Sequence, residues 1–109
     1  MNVDEFIEKK EKAFRDNPNV VVKDITRESK HTWIREAWTF MPQSDYPEKV
    51  FIIERLRNGE KLEYRFGYYI VSRYGKTKGR WLWGQFSPFI PAIDLKNLLE
   101  KAKKEKTII

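Results

Sequence analysis

The chain has 109 residues, with 22 Lys and Arg residues against 16 Asp and Glu residues and a formal net charge of +6. A chain of this length forms a single domain, residues 1–109, that can bury one hydrophobic core without disulfides or metals. It contains no cysteine and one histidine, which excludes thiolate zinc sites, cysteine nucleophiles and sites built from several histidines. The excess of positive charge favours a polyanionic partner.

The N-terminal segment MNVDEFIEKKEK is too highly charged for a signal peptide, and no apolar run approaches the roughly 18 residues that span a bilayer. We therefore expect a cytoplasmic protein that does not bind a membrane. The abundance of Lys and Glu, together with the absence of Cys, is typical of thermophilic proteins.

The first predicted element is a helix over residues 2–16. Apolar residues recur through this segment at i, i+3 and i+4 spacing, and Asn2 with Glu5 can form a capping box at its start. The helix is predicted to end at Asn17, because the residue before Pro18 is pushed out of the helical region.

Two strands and a loop are predicted next. Residues 20–25 are short and valine-rich, and residues 32–40 alternate from one face to the other, as is typical of a strand. Residues 41–49 contain two prolines with Ser44 and Asp45, so we expect a loop before the following strand.

Residues 50–86 predict three antiparallel strands joined by two turns. Asn58-Gly59 is typical of a two-residue type I′ turn, in which both central residues adopt positive φ. Residues 74–79 predict a longer hairpin tip, in which Lys76 and Lys78 lie between two glycines.

The first of these turns predicts a register and two unlike sheet faces. If Arg57 lies opposite Glu60, then Ile53 lies opposite Tyr64. One face then carries an apolar set consisting of Phe51, Ile53, Leu62, Phe66 and Ile70. The other face carries a mixed set consisting of Val50, Ile52, Glu54, Leu56, Arg65, Tyr69, Val71 and Arg73. We expect the mixed face to stay open, because a sealed core would exclude this much charge.

The register of the second hairpin is uncertain by one residue, which decides the face that carries its tryptophans. We expect Leu82 and Phe86 to face the core, and Trp81 and Trp83 to face the open side. Tryptophans in a small domain are usually mostly buried, so the alternative is that at least one of the two lies in the core.

Residues 92–106 predict a C-terminal helix with its apolar residues toward the sheet, namely Ile93, Leu95, Leu98, Leu99 and Ala102. Residues 107–109 form an apolar tail that either docks on a neighbour or frays. The whole pattern predicts an α+β fold: an N-terminal helix, an antiparallel sheet of about four or five strands and a C-terminal helix, with both helices packed on one sheet face.

The open face gathers the residues that we expect to bind nucleic acid. Single strands bind where bases stack on aromatic rings while phosphates meet cations. The candidate residues are Trp33, Arg35, Arg65, Tyr69, Arg73, Lys76, Lys78, Arg80, Trp81 and Trp83. The structural alternative is that the arginines form an ordinary solvated face and that the tryptophans belong to the core.

We expect no enzymatic activity, no cofactor and no metal. Gly75-Lys76-Thr77 lacks the upstream glycine and the following helix of a Walker loop. Glu54 and Glu63 can oppose each other across the hairpin beside Arg65, which is more simply a surface salt network than an acid–base pair.

Two segments in the second half of the chain resemble a known family. The aromatic strand RFGYYIVSR, residues 65–73, and the run GRWLWGQFSPFIPAIDLKNLLEKAKK, residues 79–104, are similar to the archaeal ThermoDBP-related single-stranded DNA-binding proteins. This resemblance implies sequence-tolerant binding of single-stranded DNA on an aromatic and basic surface. It also implies an archaeal, thermophilic source and a homo-oligomer.

The sequence therefore predicts a non-enzymatic protein that binds single-stranded DNA, and its residues do not distinguish DNA from RNA as the ligand. The alternative is a protein-interaction or oligomerisation module whose open aromatic face binds a protein partner. Aromatic residues and Arg are enriched at protein interfaces as well. Salt distinguishes the two, because high salt weakens nucleic-acid binding steeply.

Overall fold

The computed structural model describes residues 1–22, 31–84 and 86–109, which form two helices and one antiparallel sheet. The elements are α1 (Val3–Asp16), β1 (Asn19–Val22), β2 (His31–Gln43), β3 (Tyr46–Asn58), β4 (Lys61–Val71), β5 (Trp81–Trp83) and α2 (Ala92–Lys104). The strands follow one another in chain order across the sheet. This arrangement confirms the predicted α+β class. No helix in the described part of the chain is long and apolar enough to cross a membrane.

Helix α1 begins and ends where the sequence predicts. The Asn2 side chain caps its first turn by accepting a hydrogen bond from the Glu5 backbone N–H at 2.9 Å. Phe6 and Phe14, two turns apart, are buried on the sheet face that carries Val50, Ile52, Phe40 and Tyr69. We call this the α1 face.

Helix α2 packs on the opposite side of the sheet. Its Leu98 and Ala102 are buried against Phe51, Ile53 and Tyr68, which define the α2 face. Consecutive strand residues point to opposite faces, so Ile52 and Ile53 belong to different cores. The expectation that both helices pack on one face is therefore wrong.

The β3–β4 hairpin has a different turn from the predicted one. Gly59 and Glu60 form the loop, and Asn58 pairs with Lys61. Gly59 has a φ of 60° whereas Glu60 has no positive φ, which is the pattern of a type II′ turn. The register is shifted by two residues from the prediction, so Ile53 lies opposite Phe66. Because the strand period is two, every side chain keeps its predicted face.

The loop predicted over residues 41–49 is mostly strand. Strand β2 continues to Gln43 and β3 starts at Tyr46, which leaves a two-residue turn. The pairing is irregular between Pro42 and Gln43, where a residue that lacks an N–H is tolerated. The Asp94 carboxylate accepts a hydrogen bond from the Ser44 N–H at 3.0 Å, which ties this turn to α2.

Strand β5 places its tryptophans on the α1 face. Trp81 lies opposite Val71 and Trp83 opposite Tyr69, while Leu82 lies on the α2 face. These three residues lie on the sides of the sheet that the sequence predicts, but the side that carries Trp81 is not open, because Trp81 packs against the core beneath α1. The prediction that Phe86 faces the core is wrong, because this side chain is exposed.

The C-terminal tail and the first strand also differ from the prediction. Helix α2 ends at Lys104, and the tail after it docks on the chain's own sheet. Thr107 is buried with its Oγ1 2.8 Å from that of Thr39, and the Ile109 N–H donates to the Tyr64 hydroxyl at 3.0 Å. Strand β1 ends at Val22, and the rest of the predicted first strand, residues 23–25, lies outside the described residues.

Candidate nucleic-acid interface

The α1 face, which the sequence predicts to be open, is covered by α1 across much of its width. The Phe6 ring stacks on Trp81 with centroids 4.6 Å apart and planes 15° apart. The Trp81 indole N–H also donates to the Met1 carbonyl at 3.1 Å. Phe14 closes the other end of the face against Trp38. The prediction of an uncovered sheet face is therefore wrong.

The charge on this face is paired beneath the helix. Glu54 is fully buried and accepts a hydrogen bond from Arg35 Nε and another, at 2.8 Å, from Arg65 Nε. Glu54 lies opposite Arg65, and Glu63 lies opposite Leu56, so the predicted Glu54–Glu63 pair does not form. Carboxylates are tolerated in cores only when they are paired in this way.

Three predicted site residues are buried and cannot contact a ligand in this structure. Trp33 is core, Arg35 is held by Glu54, and Tyr69 lies under α1. Burial raises the pKa of Tyr69 to about 12, and the nearby Glu54 carboxylate adds to this increase. We remove these three residues from the candidate surface.

Trp83 and Arg65 remain partly exposed on this face. The Arg65 guanidinium lies 5.0 Å from the centre of the Trp83 ring, and Trp83 packs edge-on against Tyr69. The indole lies directly over Gly67, whose absent Cβ would be only 2.3 Å from Trp83 Cη2. The absence of a side chain at Gly67 therefore leaves room for the Trp83 indole, which is still 38% exposed.

Beside Trp83, the sheet margin contains an aromatic groove of about 700 Å³. The residues that define it here are Tyr46, Tyr68, Arg73, Tyr74, Trp83 and Phe86. Tyr74 and Phe86 are 83% and 81% exposed, so their rings are open to a ligand. The Arg73 guanidinium lies 5.1 Å from the centre of the Tyr46 ring and adds a positive charge to the same groove.

The loop between β4 and β5 adds cations next to this groove. Arg73, Lys76, Lys78 and Arg80 are exposed, and within residues 1–22, 31–84 and 86–109 none of them forms an ion pair. Other cations are neutralised by carboxylates. Glu36, for example, forms ion pairs with Arg55 and Arg57. We call these four residues the loop cations. Arg73 lines the groove itself, and the other three lie on the same loop, whose Ser72 and Tyr74 also line it.

The sequence prediction missed four groove residues, Tyr46, Tyr68, Tyr74 and Phe86. Tyr46 lies in a segment predicted to be a loop, and Tyr68 lies on the α2 face, across the sheet from most of the predicted site. The sequence predicts that Phe86 faces the core and that Tyr74 only begins a turn. A signal for Tyr74 does exist, because a large ring next to a glycine at a hairpin tip has no core to enter. The position of Phe86 depends on a chain crossing that periodicity does not encode.

No protein-family model matches the chain, and neither does any curated protein or solved structure. In the part of the chain that the structure describes, no group of three or more His, Asp or Glu side chains is placed to hold a metal ion.

Proposed function

We propose that the protein binds single-stranded nucleic acid at the margin of the sheet, in the aromatic groove and along the loop cations. One observation carries this proposal: exposed rings and unpaired cations lie side by side at the same sheet edge. Single-strand binders need this combination, because bases stack on ring faces and phosphates require positive charge.

The groove is a better candidate than the α1 face, because two of its rings, Tyr74 and Phe86, are not committed to the core. Trp81 is stacked on Phe6, whereas Tyr74 and Phe86 leave most of their surface in solvent. A base stacked on an aromatic ring contributes about 1–3 kcal/mol. Two such platforms would outweigh a single exposed phosphate contact, so the rings supply much of the affinity.

The shape of the site favours binding that tolerates any base sequence. Ring faces accept every base, and flexible lysines at a loop read charge but not base identity. Single-stranded DNA is the ligand that we propose. RNA has the same two features and is the comparison ligand in the test.

The test is a titration with a labelled oligothymidine at low salt. We expect binding, and we expect Phe86→Ala to weaken it roughly fivefold or more, the equivalent of about 1 kcal/mol of lost stacking. Phe89→Ala is the matched control, because Phe89 is 89% exposed but lies outside the groove. Both variants should keep the wild-type unfolding temperature. Equal affinities of the two variants, or no binding by the wild type, would contradict the proposal.

A second candidate function is protein interaction or self-association through the α2 face. Large apolar side chains remain exposed beside α2, including Phe66 on β4 and Ile93, Leu95 and Leu99 on the helix. Large exposed apolar side chains are found at protein interfaces. Trp83 lies on the opposite sheet face from this surface, but Tyr68 of the α2 face also lines the groove, so the two candidate surfaces approach each other at the sheet margin.

Salt and a substitution separate the two candidates. Association through the α2 face should survive salt that releases an oligonucleotide, because it does not depend on counterion release. We expect Leu99→Lys to reduce any oligomer seen by sedimentation while leaving oligothymidine affinity unchanged. A monomer at all concentrations tested would remove this second candidate.

A further inference from the structure

A second cavity, of about 450 Å³, lies between α1 and β5. Its charged lining comes from Lys9 and Lys10 on the helix and Arg80 on the β4–β5 loop, and none of the described residues that line it is acidic. Phe6 and Trp81, which stack on each other, form its apolar wall. The volume is typical of small-ligand sites, which span roughly 300–1,000 Å³.

Lys10 is the unusual member of this lining. Its ammonium lies 4.9 Å from the centre of the Tyr69 ring and 5.8 Å from that of Phe6. Within the described residues, no oxygen accepts a hydrogen bond from it. Glu54, the carboxylate whose field acts on it, is already bonded to two arginines.

The environment of this ammonium therefore disfavours its charge. Partial burial lowers the pKa of Lys10, and the neighbouring Arg35 and Lys9 lower it further. A half-buried cation that meets ring faces and like charges is incompletely compensated, since ring faces supply only a small part of what water gives. An anion in the cavity would supply the missing acceptor.

Arg80 approaches the same cavity from a fixed backbone. Its N–H donates to the Thr77 carbonyl at 2.9 Å, and its carbonyl accepts from the Ser72 N–H at 2.8 Å. The guanidinium is exposed and has no carboxylate partner among residues 1–22, 31–84 and 86–109. A guanidinium in this state is suited to bidentate hydrogen bonding with a phosphate.

We propose that the α1–β5 cavity is a phosphate-binding site in which Lys10 and Arg80 donate hydrogen bonds to one phosphate group. The inference that this phosphate belongs to a bound nucleic-acid strand rests on the function proposed above. Arg80 and Trp83 are three residues apart along an extended strand, about 10 Å at the usual rise per residue. One strand crossing β5 can thus place a phosphate in the cavity and bases in the aromatic groove.

The first arm of the test uses inorganic phosphate alone. We expect the unfolding temperature of the wild type to rise saturably in phosphate relative to chloride at equal ionic strength and pH, because a ligand that binds the folded state stabilises it. Lys10→Met and Arg80→Gln should lose this rise. Lys12→Met is the matched control, because Lys12 is on the same helix but is exposed and paired with Asp16.

The second arm uses oligothymidine and separates the two possible sources of phosphate. If a strand supplies the phosphate, Lys10→Met and Arg80→Gln weaken oligothymidine binding about tenfold, as expected for a lost charge-assisted hydrogen bond, and Lys12→Met weakens it far less. If wild-type protein binds phosphate through these residues but no oligonucleotide, the cavity stands as a site for a free phosphate compound and the proposed function fails.

Two other results would refute the proposed phosphate site without contradicting the proposed function. Oligothymidine binding that Lys10→Met and Arg80→Gln affect no more than Lys12→Met would leave the proposed function intact and refute the phosphate site. An equal phosphate response in all three variants would refute it as well. Arg80→Gln keeps the test decisive should Lys10→Met fold poorly, because the Arg80 side chain is exposed.

Discussion

The chain has two carboxylates that each bridge two arginines, one inside the protein and one at its surface, and comparing them measures what burial contributes. Glu54 is fully buried between Arg35 and Arg65, whereas Glu36 binds Arg55 and Arg57 at the surface. We predict that Glu54→Gln strongly destabilises the fold and that Glu36→Gln changes its stability little. The difference tests whether the Glu54 network is truly sealed by α1.

The magnitude follows from the exposure of each partner. Removing one member of a buried ion pair costs about 3–5 kcal/mol, because the remaining charge is left uncompensated. Arg35 is buried and would incur this cost in full, whereas Arg65 is 30% exposed and can turn toward water. We therefore expect Glu54→Gln to lower the free energy of unfolding by about 3–4 kcal/mol. In a domain with only about 5–15 kcal/mol of stability, this is a large loss.

The assay is equilibrium unfolding in urea, followed by far-UV circular dichroism, for the wild type and both variants. Exposed ion pairs contribute little, because water and salt already screen them. The double variant Arg35→Met/Glu54→Leu should recover part of the loss, since it removes the orphaned charge and its partner together. A Glu54→Gln variant no less stable than Glu36→Gln would refute the view that α1 closes over this network.

Three further predictions concern the sheet margin. Gly67→Ala should destabilise the fold and shift tryptophan emission, because its Cβ would displace the Trp83 ring, and fluorescence with thermal unfolding measures both effects. Replacing Lys76 and Lys78 together by Ala should flatten the slope of log affinity for oligothymidine against log salt by about 1.4, at roughly 0.7 per phosphate contact on a single strand, whereas Lys104→Ala should leave the slope unchanged. Addition of Mg²⁺ or Mn²⁺ should leave a bound oligothymidine uncleaved on a denaturing gel, and products that appear with time would contradict a purely binding role.

Much of the fold was predictable from local patterns. The capped first helix and the alternating strands follow from spacing and turn residues, whereas the side on which Trp81 and Trp83 lie depends on a register that the sequence leaves open by one residue. The sequence also carries a signal for the placement of the helices: residues 50–53 are four consecutive apolar residues, which is typical of a strand buried on both faces. That signal indicates one helix on each side of the sheet.

The candidate site was less predictable, because its charges pair across distant parts of the chain. Arg35, Glu54 and Arg65 come from three strands. No local sequence pattern shows that the two arginines are neutralised by Glu54 inside the protein. These charged residues alternate with apolar residues, and strands with one solvated face have the same sequence pattern. The exposure of Phe86 likewise depends on where the chain crosses from β5 to α2, which no periodic pattern fixes.

Paired and unpaired cations lie in different parts of the molecule, so the uncompensated positive charge is concentrated in one region of the surface. Arginines on the central strands are bonded to Glu54 or Glu36, so they contribute little field outside the protein. The loop cations and Lys10 have no such partner within the described residues, and they lie on both sides of β5. A polyanion approaching the molecule is therefore attracted to this margin, where exposed rings are available for stacking.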